Sequence, residues 1–201
     1  MKLDTFVNKL LHLFEITKVK TSKKVVYLTF DDGPEEGITE FILEELSKYR
    51  FSATFFCRGD NALKYPNLVD SIKKSGHSIG NHGYSHLHGF KTDANSYIKD
   101  LKKADDILST RLLRPPYGVL KFSQFIRLYR KFKIIHWSTL SYDWNIEGFD
   151  VEESFASLVQ NTKPGSIVLL HFCNKHSSNT RQILPLYCEW LYSNGWISEA
   201  L

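Results

Sequence analysis

From residue 25 onward the chain alternates short apolar runs with amphipathic segments, and that rhythm limits what it can fold into. The runs that read as strands are Val25–Phe30, Ala53–Cys57, Ser78–Asn81, Leu112–Arg114, Lys133–Ser138, Ser166–His171 and Trp196–Ser198. Between them, helical apolar spacing predicts helices over Thr39–Lys48, Asn67–Lys74, Ala94–Ser109, Ser123–Tyr129, Val151–Gln160 and Asn179–Tyr192. Gly76 and Gly195 are ordinary helix stops. Strand–helix alternation over the whole length implies a mostly parallel sheet with covering helices, an α/β fold.

The polar residues then fall at one end of that sheet. Asp31 and Asp32 follow the first strand, His82 follows the third and Arg114 ends the fourth. Asp143 lies just after the fifth, and His171 ends the sixth. In a β/α barrel the C-terminal ends of the strands converge on the active-site face.

Size and composition suit this reading. A chain of 201 residues, 42% hydrophobic and 24% charged, forms one globular domain with a substantial core. Against 26 basic residues stand 22 acidic ones. That balance, with no nucleic-acid-binding motif, excludes a nucleic-acid partner. Cys57, Cys173 and Cys188 are too few and too odd in number for a disulfide framework, and they suit a reducing compartment. Cys57 ends an apolar run and reads as packing, whereas Cys173 follows His171 by two residues and is placed near the site.

The N-terminus carries apolar residues at Leu3, Phe6, Val7, Leu10, Leu11 and Phe14, an amphipathic helical spacing. It lacks the uninterrupted apolar stretch and small-residue cleavage site of a signal peptide. Residues 1–22 are therefore expected to be an amphipathic helix and lead-in, and 23–201 the catalytic domain. The expected location is cytoplasmic. Packing of that helix on the domain is the simpler reading. The sharper one is peripheral contact with the inner membrane face through Lys2, Lys9, Lys18 and Lys20.

Four groups of residues carry chemistry. His82 and His86 stand four apart in Asn81-His82-Gly83-Tyr84-Ser85-His86. Two histidines and a carboxylate can bind a catalytic zinc-type ion and leave a position for water. The zinc-protease pattern needs Glu after the first His, and Gly83 stands there, so the base must come from elsewhere. Asp31 and Asp32 supply the missing parts: if one binds metal, the other can be a general base. In Arg114-Pro115-Pro116-Tyr117-Gly118, proline keeps Arg114 extended and aimed, so that it can pair with a carboxylate and keep it ionised. The Tyr117 backbone N–H, the first after two prolines, is a candidate oxyanion donor. His171 reads as a general acid for a leaving amine, oriented by Asp143. Tyr84, Trp137, Tyr142 and Trp144 are mostly core aromatics, of which one or two would line a sugar-binding groove.

Taken together, Thr29-Phe30-Asp31-Asp32-Gly33-Pro34, the His82/His86 pair, Arg114-Pro115-Pro116-Tyr117-Gly118, Asp143-Trp144 and Leu170-His171 resemble the polysaccharide deacetylases, the NodB-homology domain of carbohydrate esterase family 4. The resemblance runs from about Val25 to the C-terminus. It implies a distorted (β/α) barrel of about seven parallel strands. It also implies metal-dependent hydrolysis of an N-linked acetyl group, usually on N-acetylglucosamine-type sugars, with release of acetate. By position it makes Asp32, His82 and His86 the metal ligands and Asp31 the base supported by Arg114. His171 becomes the acid supported by Asp143, and Tyr117 gives the oxyanion N–H. Zinc is the expected ion, with cobalt or nickel also suited to two His and one Asp.

Gly83, Leu140 and Phe172 depart from the family pattern, which often has Ser or Thr, Asp, and Asp at these positions. No ligand, base or acid is lost by them, so they bear on substrate preference and activity level. The expected partner is an N-acetylated oligosaccharide or glycan precursor. Two alternatives stand beside it: a small or lipid-linked N-acyl substrate, and a non-catalytic carbohydrate-binding protein on the same fold. The sequence assigns no oligomeric state.

Overall fold

The structure, a computed structural model, describes residues 15–201. The amphipathic helix expected at the N-terminus lies outside the described residues. Among the described residues nine strands form the sheet: β1 (Glu15–Ile16), β2 (Val25–Asp31), β3 (Ala53–Cys57), β4 (Ser78–Asn81), β5 (Leu112–Leu113), β6 (Lys133–Ile135), β7 (Thr139–Leu140), β8 (Ile167–His171) and β9 (Ile197–Ser198). Their order is β1-β6-β5-β4-β3-β2-β8-β7, and β9 pairs with the start of β2. All the paired strands run parallel. The sheet curls into a half-barrel surrounded by helices, as the distorted-barrel expectation required. Those helices are α1 (Ile38–Lys48), α2 (Gly59–Lys64), α3 (Pro66–Lys74), α4 (Ala94–Leu108), α5 (Phe122–Leu128), α6 (Val151–Asn161) and α7 (Ser177–Ser193). Among the described residues no helix is long and apolar enough to cross a membrane.

The central strands explain the layering. Every residue of β2 and of β3 is buried, as in a strand covered on both faces. Successive side chains point to opposite faces. Val26, Leu28 and Phe30 accordingly join the large cluster under α1 and α7, with Ile42, Phe55 and Leu184. Val25 and Tyr27 join a smaller cluster with Phe56, Ile135 and Ile167 on the concave side. Thr29 and Asp31 follow the same alternation onto the concave side.

The seven expected strands are present, with β2, β8 and β9 differing by one residue at one end and two others stopping short at their C-terminal ends. Leu112–Arg114 is a strand only through Leu113. The run Lys133–Ser138 stops at Ile135, because its two halves serve opposite ends of the sheet. The His136 N–H donates to Ile16 O at 2.9 Å, whereas the Ser138 N–H donates to Ile167 O at 3.0 Å. The chain then continues into β7 beside β8. The three residues after β6 thus cross the opening of the half-barrel. Lys18 bridges the same opening, pairing antiparallel with Ser166.

Helix ends follow local chemistry. Asp93 caps α4 by accepting from the Asn95 and Ser96 N–H groups at 3.0 and 3.1 Å. Asp150 caps α6 by accepting from the Glu153 N–H at 2.8 Å. Gly76, just past α3, takes φ +81°, the left-handed conformation that suits glycine after a helix.

Candidate active site

β2 delivers two adjacent carboxylates to different neighbours. Asp31, the last strand residue, stays on the concave face and is buried. Asp32 leaves the strand at φ 82°, which turns its carboxylate toward the loop after β4. That loop carries His82 and His86. The two ring nitrogens face Asp32 Oδ1, His86 Nε2 at 3.1 Å and His82 Nε2 at 3.5 Å.

The His82–His86 loop is held from behind. Asp100 of α4 accepts from the Tyr84 N–H at 2.8 Å and from the Ser85 N–H and hydroxyl at 3.1 and 2.7 Å. Asn81 Oδ1 accepts the Gly83 N–H at 2.8 Å. Gly83 itself has φ +76°, and a Cβ there would come within 3.1 Å of the Asp100 carboxylate. The departure from Ser or Thr at this position therefore has a backbone reason. Sequence reasoning missed Asp100, which lies well outside the motif it supports, and gave no role to Asn81, which begins that motif.

His82 donates its Nδ1–H to Arg114 O at 2.8 Å, which leaves the Nε2 lone pair aimed at the Asp32 side. Burial lowers its pKa, with the Asp31 and Asp32 charges opposing, so the imidazole is neutral and can act as a ligand. Burial would raise the Asp32 carboxyl. The facing His86 and His82 rings outweigh it and hold the group well below the usual carboxylate range. Asp32 Oδ1 is nonetheless buried without a hydrogen-bond partner. One ligand atom from each of Asp32, His82 and His86 lies within 4.8 Å of the others. Two imidazoles and an ionised carboxylate with an unsatisfied buried oxygen fit a divalent cation.

Arg114 is fully buried, and its side chain makes four hydrogen bonds. Nη1 donates to Asp31 Oδ1 and to Thr29 Oγ1, both at 2.7 Å. Nη2 donates to His136 O at 2.9 Å and Nε to Ile135 O at 3.4 Å, while the guanidinium lies 4.2 Å from the centre of the Phe56 ring. Its side chain thus fixes Asp31, and its carbonyl fixes His82. Asp31 Oδ2 is left turned toward His82 Nε2 at 3.8 Å.

On the other side, His171 Nδ1 donates to Asp143 Oδ1 at 2.8 Å. Asp143 is buried and accepts three more bonds: Ser141 Oγ at 2.8 Å, the His171 N–H at 2.8 Å and Thr180 Oγ1 at 2.9 Å. Burial would lower the His171 pKa, but the Asp143 carboxylate outweighs it and pushes the imidazole up to about 9. Ser141 and Thr180 carried no sequence signal, since only the fold brings them to Asp143.

Tyr117 sits at φ 60° in a 3-10 turn, Pro116–Gly118. Its N–H donates to no backbone acceptor among the described residues. Its ring is 59% exposed and packs against His86 and His88, with centroids 4.6 and 4.8 Å apart.

These groups face one cavity of about 680 Å³, lined by Asp31, Asp32, His82, His86, Tyr117 and His171. Arg114 and Asp143 stand behind it. Of the aromatics, Trp137 and Trp144 line the cavity, Tyr142 is exposed, and Tyr84 packs on the main core. Leu140 also lines it, whereas Phe172 is buried against Phe55 and fills the core. His77 is structural, its Nδ1 accepting the Ala53 N–H at 3.2 Å. Arg58, Lys175 and His176 line the cavity and carried no motif.

Known proteins resemble this chain in sequence and in fold. Residues 18–132 match the sequence profile of the family described as polysaccharide deacetylase. A peptidoglycan-N-acetylglucosamine deacetylase of Bacillus cereus is 37% identical over 157 residues, 75% of this chain and 56% of that protein. The peptidoglycan-N-acetylmuramic acid deacetylase PdaA of Bacillus subtilis is 30% identical over 169 residues, 79% of this chain and 64% of that one. The chain thus spans less than two thirds of the length of both. Among solved structures, the Bc1960 peptidoglycan N-acetylglucosamine deacetylase superposes with TM-score 0.85 at 32% identity, covering 93% of this chain and 90% of that one.

Proposed function

Since the chain belongs to the polysaccharide deacetylase family, we propose that it hydrolyses N-linked acetyl groups on N-acetylglucosamine-type sugars of a glycan or glycan precursor. Its relatives are peptidoglycan deacetylases, which makes peptidoglycan strands the first substrate to try. The observation that carries the reading is a cavity flanked by two pre-oriented proton-transfer groups: Asp31 held by Arg114, and His171 held by Asp143.

Asp32, His82 and His86 would hold the divalent cation, with zinc the expected ion and cobalt or nickel alternatives. Bound there, such an ion lowers the pKa of a water and polarises an amide carbonyl. Asp31 is the base. Arg114 occupies Oδ1, so the proton is taken at Oδ2, the oxygen turned toward the cation ligands. The Tyr117 N–H donates to the acetyl oxygen as it gains negative charge. His171, with Nδ1 engaged by Asp143, gives its Nε2 proton to the departing amine. A free amine and acetate leave. Trp137 and Trp144 offer apolar faces to the sugar ring.

The test is acetate release from N-acetylglucosamine oligomers, from peptidoglycan strands and from lipid-linked precursors. It is run with chelator, with zinc or cobalt restored, and with Asp31→Asn. The expectation is release that chelator abolishes, metal restores and Asp31→Asn lowers by roughly 10²–10⁴-fold. Full activity in metal-loaded Asp31→Asn would remove Asp31 from the base role. No release from any of the three by metal-loaded protein would overturn the deacetylase reading and favour glycan binding alone.

A further inference from the structure

The cleft holds a second set of metal-type donors, on a loop the proposed hydrolysis does not use. Between β8 and α7 runs Phe172-Cys173-Asn174-Lys175-His176. The His176 N–H donates to Cys173 O at 3.1 Å, a turn that brings the two side chains together. One ligand atom from each of Asp32, Cys173 and His176 lies within 4.8 Å of the other two. Cys173 and His176 both line the active-site cavity.

The state of these side chains singles out the group. Cys173 is a free, buried cysteine. His176 is 8% exposed, and its Nδ1 is buried with no hydrogen-bond partner. An orphaned imidazole nitrogen in a polar cavity normally marks a missing partner. The third member, Asp32, turns its Oδ1 to His82 and His86. A carboxylate has two oxygens, so Asp32 can serve one ion on the His82–His86 side and another on the Cys173–His176 side.

We propose that Asp32, Cys173 and His176 form a second cation site, filled together with the Asp32–His82–His86 site and selective for soft divalent ions. A thiolate sulfur beside an imidazole favours zinc, cadmium or cobalt and disfavours magnesium or calcium. The His171 and His176 rings are 5.0 Å apart, so the second ion lies beside the candidate acid. The site is independent of the deacetylase reading, because a cation can occupy it whatever the cleft hydrolyses.

The experiment titrates metal-free full-length protein with Co²⁺, reading bound cobalt per chain and the near-ultraviolet thiolate-to-cobalt absorption. Wild type should bind two ions per chain and show the thiolate band. Cys173→Ser should bind one ion and lose the band. His176→Ala should keep one site intact and weaken the other by at least the roughly tenfold that loss of a mere supporting contact costs. His82→Ala/His86→Ala should lose one ion and keep the band, which separates this site from the one used for hydrolysis. Saturation of wild type at one ion, absence of a thiolate band, or a band surviving in Cys173→Ser would each overturn the proposal. Should Cys173→Ser fail to fold, ¹¹³Cd²⁺ on wild type decides instead. One sulfur-ligated resonance beside one nitrogen- and oxygen-ligated resonance supports the site, and two without sulfur refute it.

Discussion

Replacing Asp143 by Asn isolates the charge that tunes His171. Asn keeps the size of Asp143 and can still accept the His171 backbone N–H through its amide oxygen, while its amide nitrogen replaces the oxygen that accepted from His171 Nδ1 and Ser141 Oγ, so the change removes the anion and those two bonds. In the wild type, burial works against the imidazolium and the carboxylate overrides it, placing His171 at about 9. Without the carboxylate, burial remains while Asp31 and Asp32 act only as weaker charges, so the pKa should fall to its ordinary 6.5 or lower. A fall of about 2.5 pH units corresponds to ~3.4 kcal/mol. At pH 7 His171 goes from almost wholly protonated to roughly a quarter protonated or less. The assay is NMR titration of the His171 ring in metal-free protein from pH 5 to pH 10. Stability gives a second reading. The folded-state pKa is raised, so the contribution is fully present below the unfolded value of 6.5 and is lost as pH rises through about 9. Wild type should therefore lose on the order of 3 kcal/mol in urea unfolding across that window, and Asp143→Asn should not. A wild-type His171 titrating below 7, or one still near 9 in Asp143→Asn, would refute the reasoning.

Arg114→Met should unfold in urea about 3–5 kcal/mol more easily than wild type, because it leaves the Asp31 carboxylate buried without its cation; a loss under 1 kcal/mol would mean that Asp31 finds another partner or takes up a proton. Chelation should lower the melting temperature, and zinc at a hundredfold excess over its Kd should restore about 2.7 kcal/mol; identical melting curves with and without zinc would show that Asp32, His82 and His86 hold no ion. Gly83→Ala should cost about 1–2 kcal/mol, since alanine is strained at φ +76°; unchanged unfolding would show that the His82–His86 loop relaxes around a side chain.

Most of this architecture was legible in the sequence because the central strands are mainly apolar up to a polar last residue. Val25–Phe30 ending in Asp31, and Ile167–Leu170 ending in His171, announce both the sheet and the site in one pattern. What escaped was short or tertiary. β1 and β7 have two residues each, too few for any period, and α2 has six. The break after Ile135 was hidden because an apolar run carries no sign of which strand will receive its hydrogen bonds. The supports of the site were equally silent. Asp100, Ser141 and Thr180 acquire meaning only when α4, the β7 end and α7 fold against the loops they hold. Gly83, read from the sequence only as a departure from the family pattern, fits a left-handed turn in the loop that brings His82 and His86 to Asp32 Oδ1.

Arg114 touches Asp31 through its guanidinium and His82 through its carbonyl. Any shift of this residue therefore displaces the carboxylate and the imidazole in the same direction. Thermal breathing of the sheet becomes a common-mode motion, in which the gap between the two groups changes far less than their absolute positions. A cleft assembled from the tips of separate strands can in this way keep its internal spacing without a rigid rim.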